Sequence, residues 1–306
     1  MGDKPSISSE AEELEAFLKE LEAGGQVKEI AGWESGFPNL SRSLNGILPG
    51  LCLLIGPPSS GKSTLAKQLC DQVAFSNSVP AIFFAFAETK KDLRVRTLAR
   101  MSGLESREIR RGSPYLLHWY GVPKPRTTDP EGMAPSWERL LRAAAEARDW
   151  LDLVYIFEGS EKTDLKEMEE RIRAVEKLKG SERAMVVVDD CHYLAASEQS
   201  FDGRLPLAAA MLQQMAVSLK APVLATWTDL RSGHDRESPQ AWAERVPGAE
   251  VILVLEEEEE RTRKLTQPNR AMTLHIVKNR GGETDKVAFD FSPPFSKFAE
   301  ANLDSK

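Results

Sequence analysis

The sequence predicts an α/β fold: a doubly wound, mainly parallel sheet with helices on both faces and a C-terminal β-hairpin. Three observations predict it. Apolar runs of strand length alternate with helical stretches from residue 51 to residue 255. The segment GPPSSGKST (56–64) joins one such strand to one such helix. Two alternating segments around Gly281-Gly282 then close the chain as a hairpin.

The first thirty residues stand apart from that pattern. SSEAEELEAFLKELEAGG reads as a helix with Ser8 or Ser9 as its N-cap and Gly24-Gly25 as its stop. Leu14, Phe17, Leu18 and Leu21 make one apolar stripe, too narrow for a core helix. Residues 1–30 carry eight acids and three bases, so they hold −5 of the net −7. The expected organisation is an acidic N-terminal helical arm over 1–30 and one α/β domain over 31–306.

Next comes GWESGFPNLSRSLNGILPG (32–50), rich in turn residues. Strands are expected near 51–55, 80–86, 152–157, 184–189, 222–227 and 250–255. Helices are expected between them at 62–75, 90–102, 135–149, 163–178 and 205–219. Such alternation gives parallel strands joined by crossover helices. The acidic run at 256–260 reads as a solvated loop at the end of VILVL. AMTLHIVKNRGGETDKVAFDF (271–291) is the hairpin.

GPPSSGKST satisfies the spacing G-x-x-x-x-G-K-[ST] through Gly56, Gly61, Lys62 and Ser63. LCLLI precedes it as a buried strand, and Leu65, Leu69 and Val73 follow it at the four-residue spacing of a helix face. The chemistry explains the residue types. Glycines let backbone N–H groups wrap an anion, and the following helix turns its positive dipole end toward it. The expected nucleotide cradle is Gly56, Pro57, Pro58, Ser59, Ser60, Gly61, Lys62, Ser63 and Thr64. Lys62 reaches the β- and γ-phosphates in this reading, and the Ser63 hydroxyl ligates Mg²⁺.

Two acids complete the set. AMVVVDDCHYL (184–194) ends an apolar strand on Asp189 and Asp190, where ligands of doubly wound sheets bind. Asp189 is the expected Mg²⁺ ligand, with Asp190 behind it. AIFFAFAETKKDL (81–93) ends its strand on Glu88, on the same sheet edge. By residue type alone, Glu88 serves equally well as a base for water or as an acid favoured by a helix N-terminus.

The succession FPNLSRSLNGILPGLCLLIGPPSSGKSTLAKQL, AIFFAFAETKKDLRVRTLARMSGL, MVVVDDCHYL, APVLATW and LHIVKNRGGETDKVAFDF resembles the RecA-like ATPases. It is most similar to the C-terminal motor domain of DnaB-type replicative helicases, with kinship to KaiC-like and RadA-like ATPases, over about residues 33–298. The resemblance implies ATP and Mg²⁺ as cofactors and Glu88 as the catalytic base. The acid falls one residue later than in those helicases, a spacing nearer to recombinases. It implies that Lys278 and Arg280, two residues apart before the Gly-Gly turn, reach a neighbouring subunit's γ-phosphate. It therefore implies a homo-oligomer, a ring or filament with a hexamer expected. Two departures stand out. Trp227 and Thr228 occupy positions where the helicases carry Ser-Gln, and their primase-interacting domain has only the acidic arm in its place.

Single-stranded DNA is the partner this implies, in replication or recombination. The loops expected to meet it, 196–205 and 229–248, offer Arg204, Arg231, Arg236 and Arg245 with Trp242 for stacking, but more acids than bases. The alternative is a KaiC-like regulatory or scaffold ATPase that controls a partner protein without DNA. A third reading, a protein that binds ATP and barely turns it over, is separable by turnover. An extra segment at 107–132 carries Arg107, Arg110, Arg111, Lys124 and Arg126 around Trp119 and Tyr120, a candidate surface for a protein partner. A composition of 41% hydrophobic and 28% charged residues, with no membrane-length apolar run, leads to a cytoplasmic expectation. Cys52, Cys70 and Cys191 are isolated, as suits core thiols in a reducing compartment.

Overall fold

In the computed structural model the described residues are 30–111 and 136–301, except 161, 196, 197, 199 and 232–237, together with positions 14, 18 and 19. Most of the arm over 1–30 and most of the 107–132 segment therefore lie outside them.

Nine strands form one sheet: β1 Gly50–Gly56, β2 Ala81–Ala85, β3 Val154–Glu158, β4 Met185–Asp189, β5 Pro222–Thr228, β6 Val251–Glu257, β7 Arg270–Asn279, β8 Asp285–Ser292 and β9 Lys297–Glu300. Their order is β3-β2-β4-β5-β1-β6-β7-β8-β9. The first six run parallel, and β7, β8 and β9 add antiparallel. The helices are α1 Pro38–Leu44, α2 Lys62–Asn77, α3 Lys90–Ser102, α4 Ser106–Arg111, α5 Ser136–Leu151, α6 Leu165–Lys179, α7 Phe201–Leu219 and the single turns α8 Trp242–Arg245 and α9 Glu259–Thr262.

The period-two geometry of a strand sorts the core into two layers. Leu51, Leu53 and Ile55 of β1 and Val186 and Val188 of β4 pack with Met168 and Ile172 of α6 and Leu212 and Met215 of α7. Leu54 of β1 and Met185 and Val187 of β4 face the other way, onto Leu65, Leu69 and Val73 of α2. Parallel strands covered on both faces read as unbroken apolar runs, which is why they are visible in sequence.

Five elements were not expected: α1, α4, α8, β9 and α9, whose turn begins inside the acidic run read as a loop. Pro38 starts α1 in the turn-rich stretch, and Asn45 ends it in the left-handed conformation. Strand β9 is four residues long, too short to show alternation. Helix α7 begins at Phe201, four residues before the expected start, with the Ser200 side chain accepting from the Gly203 N–H as cap. All three cysteines are free, with Cys70 and Cys191 buried.

A buried ion cluster ties α2 to α3. Asp71 pairs with Lys67 and with Arg100, and it accepts from Thr97 Oγ1 at 2.7 Å. Burial alone raises an Asp71 carboxyl; Lys67 and Arg100 outweigh it and hold the group below its usual range. This cluster fixes the helix that carries Arg96 relative to the helix that follows the phosphate loop.

Candidate active site

The carboxyl ends of β1, β2 and β4 bring the expected residues together. Gly61 stands at the N-cap of α2 with φ +96°, a conformation that favours glycine. A Cβ there would also lie 2.9 Å from the rings of Phe291 and Phe298. These rings stack at 4.2 Å between centroids. Gln68 clamps β9 from α2, donating Nε2 to Phe298 O at 2.9 Å and accepting the Phe298 N–H at 2.8 Å. The C-terminal strands thus buttress the phosphate loop from below.

Lys62 is 6% exposed, and its Nζ donates to Pro57 O at 2.8 Å across the loop. Burial lowers its pKa, and Asp190, Asp189 and Asp229 oppose the shift. Ser63 Oγ donates to Asp189 Oδ1 at 3.0 Å, joining the loop to β4. Strand β5 lies between β4 and β1 and fills the gap with hydroxyls. Thr226 Oγ1 donates to Asp189 Oδ1 at 2.6 Å, and Thr228 Oγ1 to Asp190 Oδ2 at 2.7 Å. Asp229 N–H donates to Gly56 O at 2.9 Å, locking the end of β5 to the start of the loop.

Asp189 is 1% exposed, and its Oδ2 is buried without a hydrogen-bond partner. Burial pushes its carboxyl up to about 6, against the hydrogen bonds from Thr226 and Ser63. A buried oxygen that no protein donor satisfies, next to a serine hydroxyl, fits a hard cation such as Mg²⁺. Among the described residues no group of three or more His, Cys, Asp or Glu could hold a metal alone. Magnesium sites that rely on substrate phosphates and water need no such cage.

Glu88 follows β2 on the same edge, and its charge adds to those that raise Asp189. Arg96 of α3 holds its carboxylate with Nε to Oε2 at 2.9 Å and Nη2 to Oε1. No sequence pattern announced Arg96, because a contact eight residues back needs the β2–α3 turn to bring it round.

Lys278 and Arg280 lie at the other end of the sheet. Lys278 Nζ donates to Pro247 O at 2.7 Å, and Arg280 Nη1 pairs with Glu250 Oε1 at 3.1 Å. Arg280 lines a cavity of about 170 Å³ with Gly50, the first residue of β1. Gly50 and Gly56, the first residue of the phosphate loop, lie six residues apart along β1, about 20 Å. Trp227 is buried in the core at 2% exposure, edge-on to His192. Trp242 is also buried, at 3% exposure, with Arg231 over its ring at 4.6 Å and Arg245 at 5.5 Å. It is therefore no stacking platform for a base, which corrects that expectation.

Residues 32–300 match the model of the DnaB-like helicase C terminal domain. The chain belongs to that family. The replicative DNA helicase DnaB of Leifsonia xyli subsp. xyli is 23% identical over 287 residues, covering 89% of this chain and 56% of that protein. The Pasteurella multocida replicative DNA helicase DnaB is 31% identical over 84 residues, 27% of this chain and 18% of that protein. The chain thus spans about half, or less, of the curated relatives it matches.

Solved structures agree on the fold. One solved ATPase domain has a TM-score of 0.75 at 19% identity, covering 98% of this chain and all of that one. A DnaB-like replicative helicase described with its interactions with primase also has a TM-score of 0.75, at 18% identity and 96% coverage, with 69% of that chain covered. A KaiC-like protein of Pyrococcus horikoshii OT3 has 0.55 at 16% identity, covering 89% and 100%. The DnaB-like fold, a mostly parallel sheet flanked by helices, is therefore the one the sequence predicts.

Proposed function

We propose that this chain is an oligomeric ATP-hydrolysing motor that acts on single-stranded DNA in replication or recombination. One observation supports it above the rest: Lys62, the Ser63–Asp189 pair and Glu88 converge on one sheet edge in a family of DnaB-like helicase domains. Lys62 exchanges Pro57 O for the β- and γ-phosphates. Ser63 and Asp189 would hold Mg²⁺, which would neutralise charge on the phosphate oxygens. Glu88 accepts a proton from the attacking water as the water oxygen bonds to the γ-phosphorus and the bond to the bridging oxygen breaks, the bridging oxygen leaving with ADP. Arg280, with Lys278 beside it, stabilises the transferring phosphoryl group of the adjacent subunit.

Neighbouring copies in a ring or filament are what this requires, with a hexamer the expected assembly. Among the described residues no helix is long and apolar enough to cross a membrane, and cytoplasmic residence accords with a replicative role. The KaiC-like regulatory reading rests on the weaker structural likeness, 0.55 against 0.75.

Nucleotide binding and steady-state turnover of two variants test the site. Lys62→Ala should lose ATP affinity or turnover while remaining folded. Glu88→Gln should keep binding and lose about two to four orders of magnitude in hydrolysis. Wild-type binding and turnover in Lys62→Ala would place the site elsewhere. Normal hydrolysis in Glu88→Gln would pass the role of base to Asp190.

A further inference from the structure

Arg96 makes three anchored contacts with one guanidinium. Nε and Nη2 grip the two oxygens of Glu88, and Nη1 donates to Thr64 Oγ1 in the phosphate loop. The side chain is 19% exposed, and the Asp71 cluster four residues on fixes its helix against α2. A guanidinium fork is planar and pre-organised, so two parallel bonds set the carboxylate's orientation as well as its place. An ionised carboxylate has about four lone-pair sites. Two remain after the fork is satisfied, enough to take a proton from a water on the open side.

We propose that Arg96 is a positioning residue for ATP hydrolysis. It aims the Glu88 carboxylate and ties it to the phosphate loop through Thr64, so the base moves only as the loop moves. This rests on Glu88 being the base, and it adds a residue that touches neither the phosphates nor the water. Arg96 acts through Glu88, so its loss cannot matter once Glu88 has lost its own function.

The test is a double-mutant cycle on the full chain, with kcat for ATP and equilibrium nucleotide affinity measured for each protein. Arg96→Gln should lower kcat about tenfold to a hundredfold, the scale of a misplaced catalytic group. Its nucleotide Kd should stay within about threefold of wild type, because the phosphate contacts are untouched. Arg96→Lys should be slow as well, since a point charge cannot fork two oxygens. The double variant Arg96→Gln/Glu88→Gln should be no slower than Glu88→Gln alone.

Arg96→Gln at wild-type kcat, with Glu88→Gln slow, would overturn the positioning role and leave the base in place. Losses that multiply in the double variant would overturn it too, because Arg96 would then act independently of Glu88. Glu88→Gln at wild-type rate would remove the base assignment and this inference with it. If Arg96→Gln does not fold, Arg96→Lys at wild-type kcat is the overturning result.

Discussion

Arg280 and Glu250 form an ion pair, Nη1 to Oε1 at 3.1 Å, at the opposite end of β1 from Lys62. Glu250 is anchored in turn, accepting from Leu51 N–H at 3.2 Å and Gln213 Nε2 at 3.0 Å. The Arg280 side chain is 69% exposed despite the pair. About 20 Å of strand keeps it from its own phosphate loop, so a nucleotide phosphate could reach it only from a neighbouring copy, as the proposed assembly would supply. Exposed pairs of this kind are worth about 0–1 kcal/mol, little enough for a phosphate to displace Glu250.

Arg280→Ala should therefore bind ATP and fail to hydrolyse it. Mixed with Lys62→Ala, it should regain activity, because some interfaces then join an intact loop to an intact arginine. Turnover measured across mixing ratios checks this. No recovery under demonstrated subunit exchange would rule out a shared site.

Asp189 predicts a pH effect on stability. Its folded pKa of about 6 lies above the ordinary value of 3.8, so the folded state binds more protons between those values. The group's contribution is thus greatest at low pH and is lost as pH rises to about 6. Thermal unfolding of wild type without nucleotide should fall relative to Asp189→Asn across that window. Mg²⁺ with nucleotide should reverse the trend, since a cation favours the ionised form. Parallel curves for the two proteins would mean that Asp189 does not carry the buried charge.

The legible part of the fold is the part whose residues repeat. The strand expected at 51–55 is β1, Gly50–Gly56, marked by its unbroken apolar run, and the helix expected at 90–102 is α3, where the structure adds Thr89 as the N-cap. Helix α1 escaped because Pro38, Asn39 and Ser41 also suit turns, and only the packing of Leu40 and Leu44 settles the matter. The phosphate loop, Glu88 and Asp189 were legible because each lies at or just past the carboxyl end of an apolar strand, although β2 stops at Ala85, three residues before Glu88. Thr226 and Thr228 were not, since a threonine inside an apolar strand gives no sign that it reaches the next strand's carboxylate. Arg96 was hidden for the same reason: its partners are set by tertiary geometry alone.

The acidic arm gives a prediction about assembly. Leu14 and Leu18, two of its four stripe residues, are 52% and 51% exposed. Burying such side chains stabilises by about 1.5–3 kcal/mol each, so residues 8–23 should dock on a neighbouring subunit. Deleting residues 1–24 should lower the assembly's mass and its ATPase while unfolding stays cooperative. A truncated protein of full assembled mass would exclude the docking role, and one that cannot fold would place the arm on its own domain.

The motor reading stands most directly on the coupling between ATP turnover and DNA. The measurement is the steady-state ATPase rate of the assembled protein with Mg²⁺, with and without single-stranded DNA, with the assembly's mass recorded under the same conditions. The account predicts a faster rate when DNA is present, lost in both Lys62→Ala and Arg280→Ala. An assembled, ATP-hydrolysing protein whose rate ignores single-stranded DNA would contradict it.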